Sequence, residues 1–201
     1  MLNFKQFIAE EKTLNIFDID DTLLRTTAKV MVMKDDKVVT KLSNQQFNTY
    51  KLKPGEHFDF TEFADSEKFF KTSKPMMGML QKAKAILGNM KPSSKMIFVT
   101  ARTDFDDKKK VLATFRKFGF PIDKVYIERA GNIVNAKKTS AAIAKAYIVR
   151  KYLSKTGYDK IRMYDDAPKN LDMINKLKKL NKDVSLDLHL VTPSGNIKKY
   201  K

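Results

Sequence analysis

The chain is predicted to fold as an α/β protein in three layers, a central parallel sheet wrapped by helices, and three observations predict it. Apolar runs of strand length alternate with longer stretches of helical spacing from Lys74 onward, and parallel neighbours need crossover connections of that kind. Three strand-like runs stop in polar residues: residues 14–17 before Asp18-Ile19-Asp20-Asp21-Thr22, Lys95–Thr100 before Ala101-Arg102, and residues 160–164 before Asp165-Asp166. A strand interior could not hold such charges unpaired. They emerge instead along the carboxyl edge of the sheet, where open α/β sheets bind ligands.

At 201 residues the chain is expected to form one domain with room for a modest insertion. A hydrophobic content of 42%, with 7 Gly and 6 Pro, excludes wholesale disorder. No apolar run approaches membrane-spanning length, and residues 1–12 are too polar for the core of a signal peptide. The expectation is a soluble, cytoplasmic protein with no membrane association and no obligate protein partner. The absence of cysteine fits that compartment and removes disulfides, thiolate zinc sites and a cysteine nucleophile. Net charge stands apart at +17, and residues 130–201 hold sixteen Lys and Arg against six Asp and Glu. Such an excess favours polyanions, nucleic acid above all, although a lysine-coated surface also serves solubility alone.

In chain order, residues 3–10 read as a short helix with Phe4, Phe7 and Ile8 on one face, leading into the first strand at 14–17. After Leu24 the regular pattern stops for about fifty residues, which marks an insertion over residues 25–74. Residues 29–42 alternate around Lys34-Asp35-Asp36-Lys37 and suggest a hairpin. Residues 44–74 carry Phe47, Tyr50, Phe58, Phe60, Phe63, Phe69 and Phe70, expected to form the insertion's own small core rather than stack on bases. Placed directly after an acid-bearing strand, the insertion is well sited to be a lid.

The alternation that follows is regular. Pro75 suits a first helical turn, Met76, Met79, Leu80, Ala83 and Leu87 fall at helical spacing, and Gly88 stops the helix. Strand 95–100 leads to a helix over about 104–118 with acids in its first turn, where the helix dipole prefers them, and with Val111, Leu112, Phe115 and Phe118 inward. A strand at 124–128 precedes a loop at 131–135, then a helix over about 139–154 with Ile143, Tyr147, Ile148 and Tyr152 inward. Strand 160–164 runs into Asp165-Asp166, and Ala167-Pro168 opens a helix to about Leu180. Residues 184–191 form a last strand, and residues 197–201 a basic tail.

Asp18 and Asp20 lie two apart, so continued strand geometry projects them from one side, close enough to share a cation. Two carboxylates so placed can divide their roles, one attacking as a nucleophile and the other trading protons with leaving group and water. Arg102, just past the second strand, could hold a phosphate bidentately. Four carboxylates at one edge would repel one another and an anionic substrate, so a hard, oxygen-seeking ion is required, Mg²⁺ above all. His57 and His189 have no partners at ligand-like spacing and are expected to be structural.

Asp18-Ile19-Asp20-Asp21-Thr22, Val99-Thr100 and Tyr164-Asp165-Asp166 resemble, in this order, three of the motifs of the haloacid dehalogenase-like superfamily. The resemblance spans about residues 13–182 and implies a Rossmann-like core with a small cap at about 25–74. It implies Asp18 as nucleophile, Asp20 as general acid and base, Thr100 as phosphate ligand, and Asp165 and Asp166 joining Asp18 and Asp20 at the metal. Thr22, Ala101 and Arg102 are expected to face the substrate, although Thr-Ala-Arg departs from the Ser/Thr-Gly-Arg usual there. The remaining motif is a lysine that neutralises the phosphate. Lys145 lies in a stretch, AKAYIVRKYLSKTGYDKIRMYDD, similar to phosphatase domains of the polynucleotide kinase/phosphatase type, and Lys138 is the alternative. Residues 2–11, LNFKQFIAEE, resemble leader segments of proteins packaged in T-even-like phage capsids, which suggests a phage-encoded protein residing in the host cytoplasm or virion. The function so implied is a Mg²⁺-dependent phosphatase of a nucleotide or nucleic-acid end, with a 3′-phosphate favoured. A small-metabolite phosphatase and a non-catalytic nucleic-acid-binding module are the alternatives.

Overall fold

The computed structural model describes residues 11–47, 49–179 and 183–200. The helix expected over residues 3–10, the leader-like wording there, Leu180, Lys182 and Lys201 lie outside the described residues. β1 (Thr13–Phe17) is followed by β2 (Leu24–Arg25), β3 (Val30–Lys34), β4 (Lys37–Leu42), α1 (Asn44–Phe47), β5 (His57–Asp59), a 3₁₀ turn at Thr61–Phe63, α2 (Ser66–Thr72) and β6 (Lys74–Pro75). From α3 (Met77–Gly88) the chain alternates: β7 (Lys95–Thr100), α4 (Lys108–Lys117), β8 (Tyr126–Arg129), α5 (Ala130–Lys137), α6 (Ala141–Thr156), β9 (Lys160–Asp165), α7 (Pro168–Leu177), β10 (Ser185–Val191) and β11 (Ile197–Lys199).

Six strands form a mostly parallel sheet in the order β11-β10-β9-β1-β7-β8, with β11 alone antiparallel at one edge. β1 lies inside it, and its alternating side chains serve both faces as a pleated strand must. Leu14 and Ile16 enter a cluster with Val149 and Leu153 of α6 and Ile174 of α7, while Phe17 enters another with Leu80 of α3 and Phe115 of α4. Helices thus flank both faces, and each fully buried Leu, Ile or Phe contributes about 1.5–3 kcal/mol by leaving water. No helix among the described residues is long and apolar enough to cross a membrane.

The expected hairpin is β3–β4, turning at Asp35 and Asp36 with φ of 47° and 57°, the left-handed pair that a tight two-residue hairpin needs. β5 adds to β3, making a three-stranded antiparallel sheet. Val30, Val32 and Leu42 pack there with Phe47, Tyr50, Phe58 and Phe63, the small core anticipated for these aromatics. Phe69 departs from that expectation and joins the α3–α4 side of the main core.

Several boundaries differ from expectation, each for a physical reason. Pro75 precedes the helix: it pairs with Leu24 across β2–β6, where its missing N–H costs nothing, and the Met76 N–H donates to the Leu23 carbonyl at 3.0 Å. The acids expected inside the next helix lie before it, and Asp107 caps α4 by accepting from the Lys109 and Lys110 amides at 2.8 and 3.2 Å. Residues 131–135 are helix rather than loop. Gly131 serves close approach, since its N–H donates to the Arg102 carbonyl at 3.1 Å and a Cβ there would fall 2.5 Å from the Ala101 oxygen. α6 presents Ala144, Lys145, Ile148 and Val149 inward and leaves Ile143 and Tyr147 48% and 49% exposed, because the buried lysine sets the phase. The helix after Pro168 ends at Leu177, and residues 197–199 are an edge strand rather than a tail.

Candidate active site

Three strand ends deliver the site. Beyond β1 the ladder continues for one residue, with the Asp18 N–H donating to the Tyr164 carbonyl at 3.0 Å. The chain then folds over the Ile19 carbonyl, which accepts from the Leu23 and Leu24 amides at 3.0 and 2.9 Å, and Asp21 adopts φ 58°. An aspartate tolerates that left-handed turn better than most residues. This puts Asp18 on the α6 side of the sheet beside Asp165 at the end of β9.

Lys145 joins them. Its ammonium lies 2.6 Å from Asp18 Oδ1 and 2.8 Å from Asp165 Oδ2, and the side chain is 2% exposed. Asp165 is held from behind, its other oxygen accepting from the Ala167 amide at 2.9 Å and Asn170 Nδ2 at 2.8 Å. Asp18, Asp165 and Asp166 each offer a carboxylate oxygen within 4.8 Å of the others, so the three could hold a metal ion. The donor set fits a hard divalent cation: oxygens only, and three carboxylates against one ammonium. Burial and the neighbouring carboxylates push Asp18 well above its ordinary range despite Lys145, and they push Asp166 up to about 7. Burial opposes the charge on Lys145, yet Asp165 and Asp18 together raise its pKa. A cation between the acids would relieve that repulsion.

Asp20 sits apart from this group. Its carboxylate accepts from Arg102 Nη2 at 2.7 Å and Nε at 2.9 Å, from Thr26 Oγ1 at 2.6 Å and from Thr100 Oγ1 at 3.3 Å. Burial alone would raise its pKa, but the Arg102 guanidinium and these hydrogen bonds hold it lowered. Asp20, expected at the metal with the other three acids, has its oxygens turned to Arg102 and Thr26, while the acids grouped within reach of one ion are Asp18, Asp165 and Asp166. Arg102, expected to face the substrate, is engaged by protein groups. Its fork is taken by Asp20 and, through Nη1, by the Phe63 carbonyl at 2.8 Å, and the guanidinium carbon lies 4.8, 5.0 and 5.6 Å from the rings of Phe63, Phe69 and Phe105.

Thr100 is fully buried, accepting from the Arg102 amide at 3.1 Å. Thr22 is also fully buried, and its hydroxyl meets no partner, a group left wanting a ligand. Ala101 is exposed beside them. Of the two lysines considered, Lys145 touches the acids. Lys138 is exposed and closes α5 in a left-handed conformation with φ 47°. Sequence reasoning missed Thr26, Phe63, Phe105 and Asn170. Only Asn170 had a local signal, an amide in the first turn of the helix directly after the acids. His189 pairs with Asp187 at 2.9 Å and stacks on Tyr164, and burial lowers its pKa. Comparison of the chain with protein-family models, curated proteins and solved structures finds no match.

Proposed function

We propose that this chain is a Mg²⁺-dependent phosphomonoester hydrolase of the haloacid dehalogenase-like type, acting through an aspartyl-phosphate on a nucleotide or nucleic-acid end. One observation carries the proposal: the buried Lys145 ammonium bridges Asp18 and Asp165, with Asp166 within metal-sharing distance, at the carboxyl edge of a parallel sheet. A buried cation tying two acids from separate strands is a costly arrangement to keep for folding alone. It suits a centre that must accept a dianionic group.

Asp18, Asp165 and Asp166 would hold the ion, which when bound neutralises the phosphate and draws Asp18 back to its ionised form. Asp18 then attacks phosphorus, and the bond from phosphorus to the ester oxygen breaks. Asp20 gives its proton to the departing oxygen and recovers one from the water that cleaves the acyl phosphate, returning phosphate and free Asp18. Arg102 and Thr26 hold the pKa of Asp20 lowered in the free site, which suits the water-activating half. The negative charge of an entering phosphate would raise it toward the protonated form that the first half needs. Lys145 offsets charge on Asp18 and the transferred group throughout. The sheet of β3, β4 and β5 would act as the cap, since the turn that follows β5 supplies the Phe63 carbonyl to Arg102.

The charge of +17 favours a polynucleotide end. The near-complete burial of Asp18 and Thr100 favours the alternative of a small phosphorylated metabolite. A screen of 3′- and 5′-phosphorylated oligonucleotides, nucleotides and sugar phosphates with and without Mg²⁺ tests the reading. Hydrolysis of the oligonucleotides supports it, and no Mg²⁺-dependent hydrolysis of any of them would overturn it.

A further inference from the structure

Asn15 interrupts an apolar stretch inside the sheet, between Leu14 and Ile16, with Met96 and Arg162 as its register neighbours on β7 and β9. It is 2% exposed, and its side-chain carbonyl oxygen meets no donor. A buried acceptor left unpaired costs on the order of 1–3 kcal/mol. Folded proteins rarely keep one without a partner to receive. Asn15 faces α3 rather than α6, on the same side as Phe17, and lies roughly 10 Å along β1 from Asp18 at about 3.3 Å per residue.

Asn15 helps to line a cleft of about 410 Å³ between α3 and the amino-terminal part of the sheet, within the range of roughly 300–1,000 Å³ that small-molecule sites occupy. Ile86 and Met90 give it an apolar wall, Lys82 and Arg162 bring positive charge, and Glu11 brings one acid. Glu11 is answered by Lys160 at 3.5 Å and Arg162 by Asp187 at 2.8 Å. Lys82, exposed and with its ammonium 5.8 Å from the centre of the Tyr164 ring, and Lys91 add further positive charge to the same cleft.

We infer that this cleft is a second binding site, for a small organic phosphate: its anionic group beside Lys82 and Arg162, an O–H or N–H donating to Asn15, and a ring against Ile86 and Met90. A bare anion would leave the apolar wall wet, and a neutral ring would make no use of the positive charge that Lys82, Lys91 and Arg162 bring to the cleft. The site is independent of the reaction proposed above, because none of its side chains is among the partners of Asp18, Asp20 or Asp165 described there.

The test is amide chemical-shift mapping of the full chain with adenosine monophosphate as probe, with adenosine and inorganic phosphate as separate arms. The expected result is saturable shifts around residues 13–15, 82–90 and 162, with at least tenfold weaker affinity for either half of the probe. Lys82→Glu should weaken those shifts at least tenfold while leaving phosphatase activity unchanged. Asn15→Leu should do the same while keeping or raising the unfolding midpoint, since it replaces an unpaired amide by a side chain of similar size. Absence of cleft shifts at millimolar probe, or undiminished affinity in both variants, would overturn the inference. Inorganic phosphate binding as tightly as adenosine monophosphate would overturn the organic ligand. Failure of the phosphatase reading shows separately, as absence of turnover in the unsubstituted chain.

Discussion

Replacing Lys145 by methionine isolates the electrostatic core of the site. The side chain fits by volume, but Asp18 and Asp165, which sit 2.6 and 2.8 Å from the ammonium, lose their shared counter-charge in a place almost closed to water. Removing one partner of a buried pair costs about 3–5 kcal/mol, and at about 1.4 kcal/mol per factor of ten that lowers the folded-to-unfolded ratio by two to four orders of magnitude. The variant should recover part of this when Mg²⁺ is added, because the acid group then carries more uncompensated negative charge and draws the cation more strongly. Urea unfolding of both proteins at pH 7, with chelator and with Mg²⁺, reads the effect. Lys138→Met is the control, an exposed site expected to change stability by no more than about 0.5 kcal/mol. Equal stability of Lys145→Met and the unsubstituted chain in chelator would refute the argument that this lysine neutralises the two acids.

Other outcomes follow from the same geometry. Asp166, raised from 3.8 to about 7 by burial and Asp165, favours the fold most below its unfolded pKa; that contribution is lost as pH rises through about 7, so the metal-free protein should melt lower at pH 8 than at pH 5, and Mg²⁺ should narrow the gap. Asp20→Asn should lower kcat on the order of 10²–10⁴-fold, the usual worth of a general acid and base, in steady-state assays with Mg²⁺. Gly131→Ala should destabilise by about 1–3 kcal/mol, read by thermal unfolding, because its Cβ would fall 2.5 Å from backbone at Ala101 and Arg102. For a single-stranded substrate, log affinity against log salt should fall with a slope of about −0.7 per phosphate contacted, and a shallow slope matching a mononucleotide's would turn preference to the small metabolite.

The parallel core was legible because β1, β7 and β9 switch abruptly from apolar runs to polar or acidic residues, and the same switch located Asp18, Thr100 and Asp165. Lys145 could be placed near the acids by resemblance, but its burial ran against the rule that lysines face water. For the same reason the phase of α6 was misread: Ile143 with Tyr147 and Ala144 with Ile148 are both stripes at a spacing of four, and only the tertiary pull of two carboxylates on Lys145 selects the second. Gly131 looked like a loop residue because sequence cannot separate a glycine that turns from one that admits a neighbouring backbone. The pairing of Arg102 with Asp20 across the sheet, walled by Phe63, Phe69 and Phe105, joins segments with no shared periodicity. No local pattern reports such a contact.

The central claim is that Asp18 attacks phosphorus, and hydrolysis of p-nitrophenyl phosphate by the unsubstituted chain and by Asp18→Asn, each with Mg²⁺ and with chelator, tests it most directly. The geometry predicts turnover by the unsubstituted chain in Mg²⁺ alone and none by Asp18→Asn under either condition. Full Mg²⁺-dependent turnover by Asp18→Asn would contradict it.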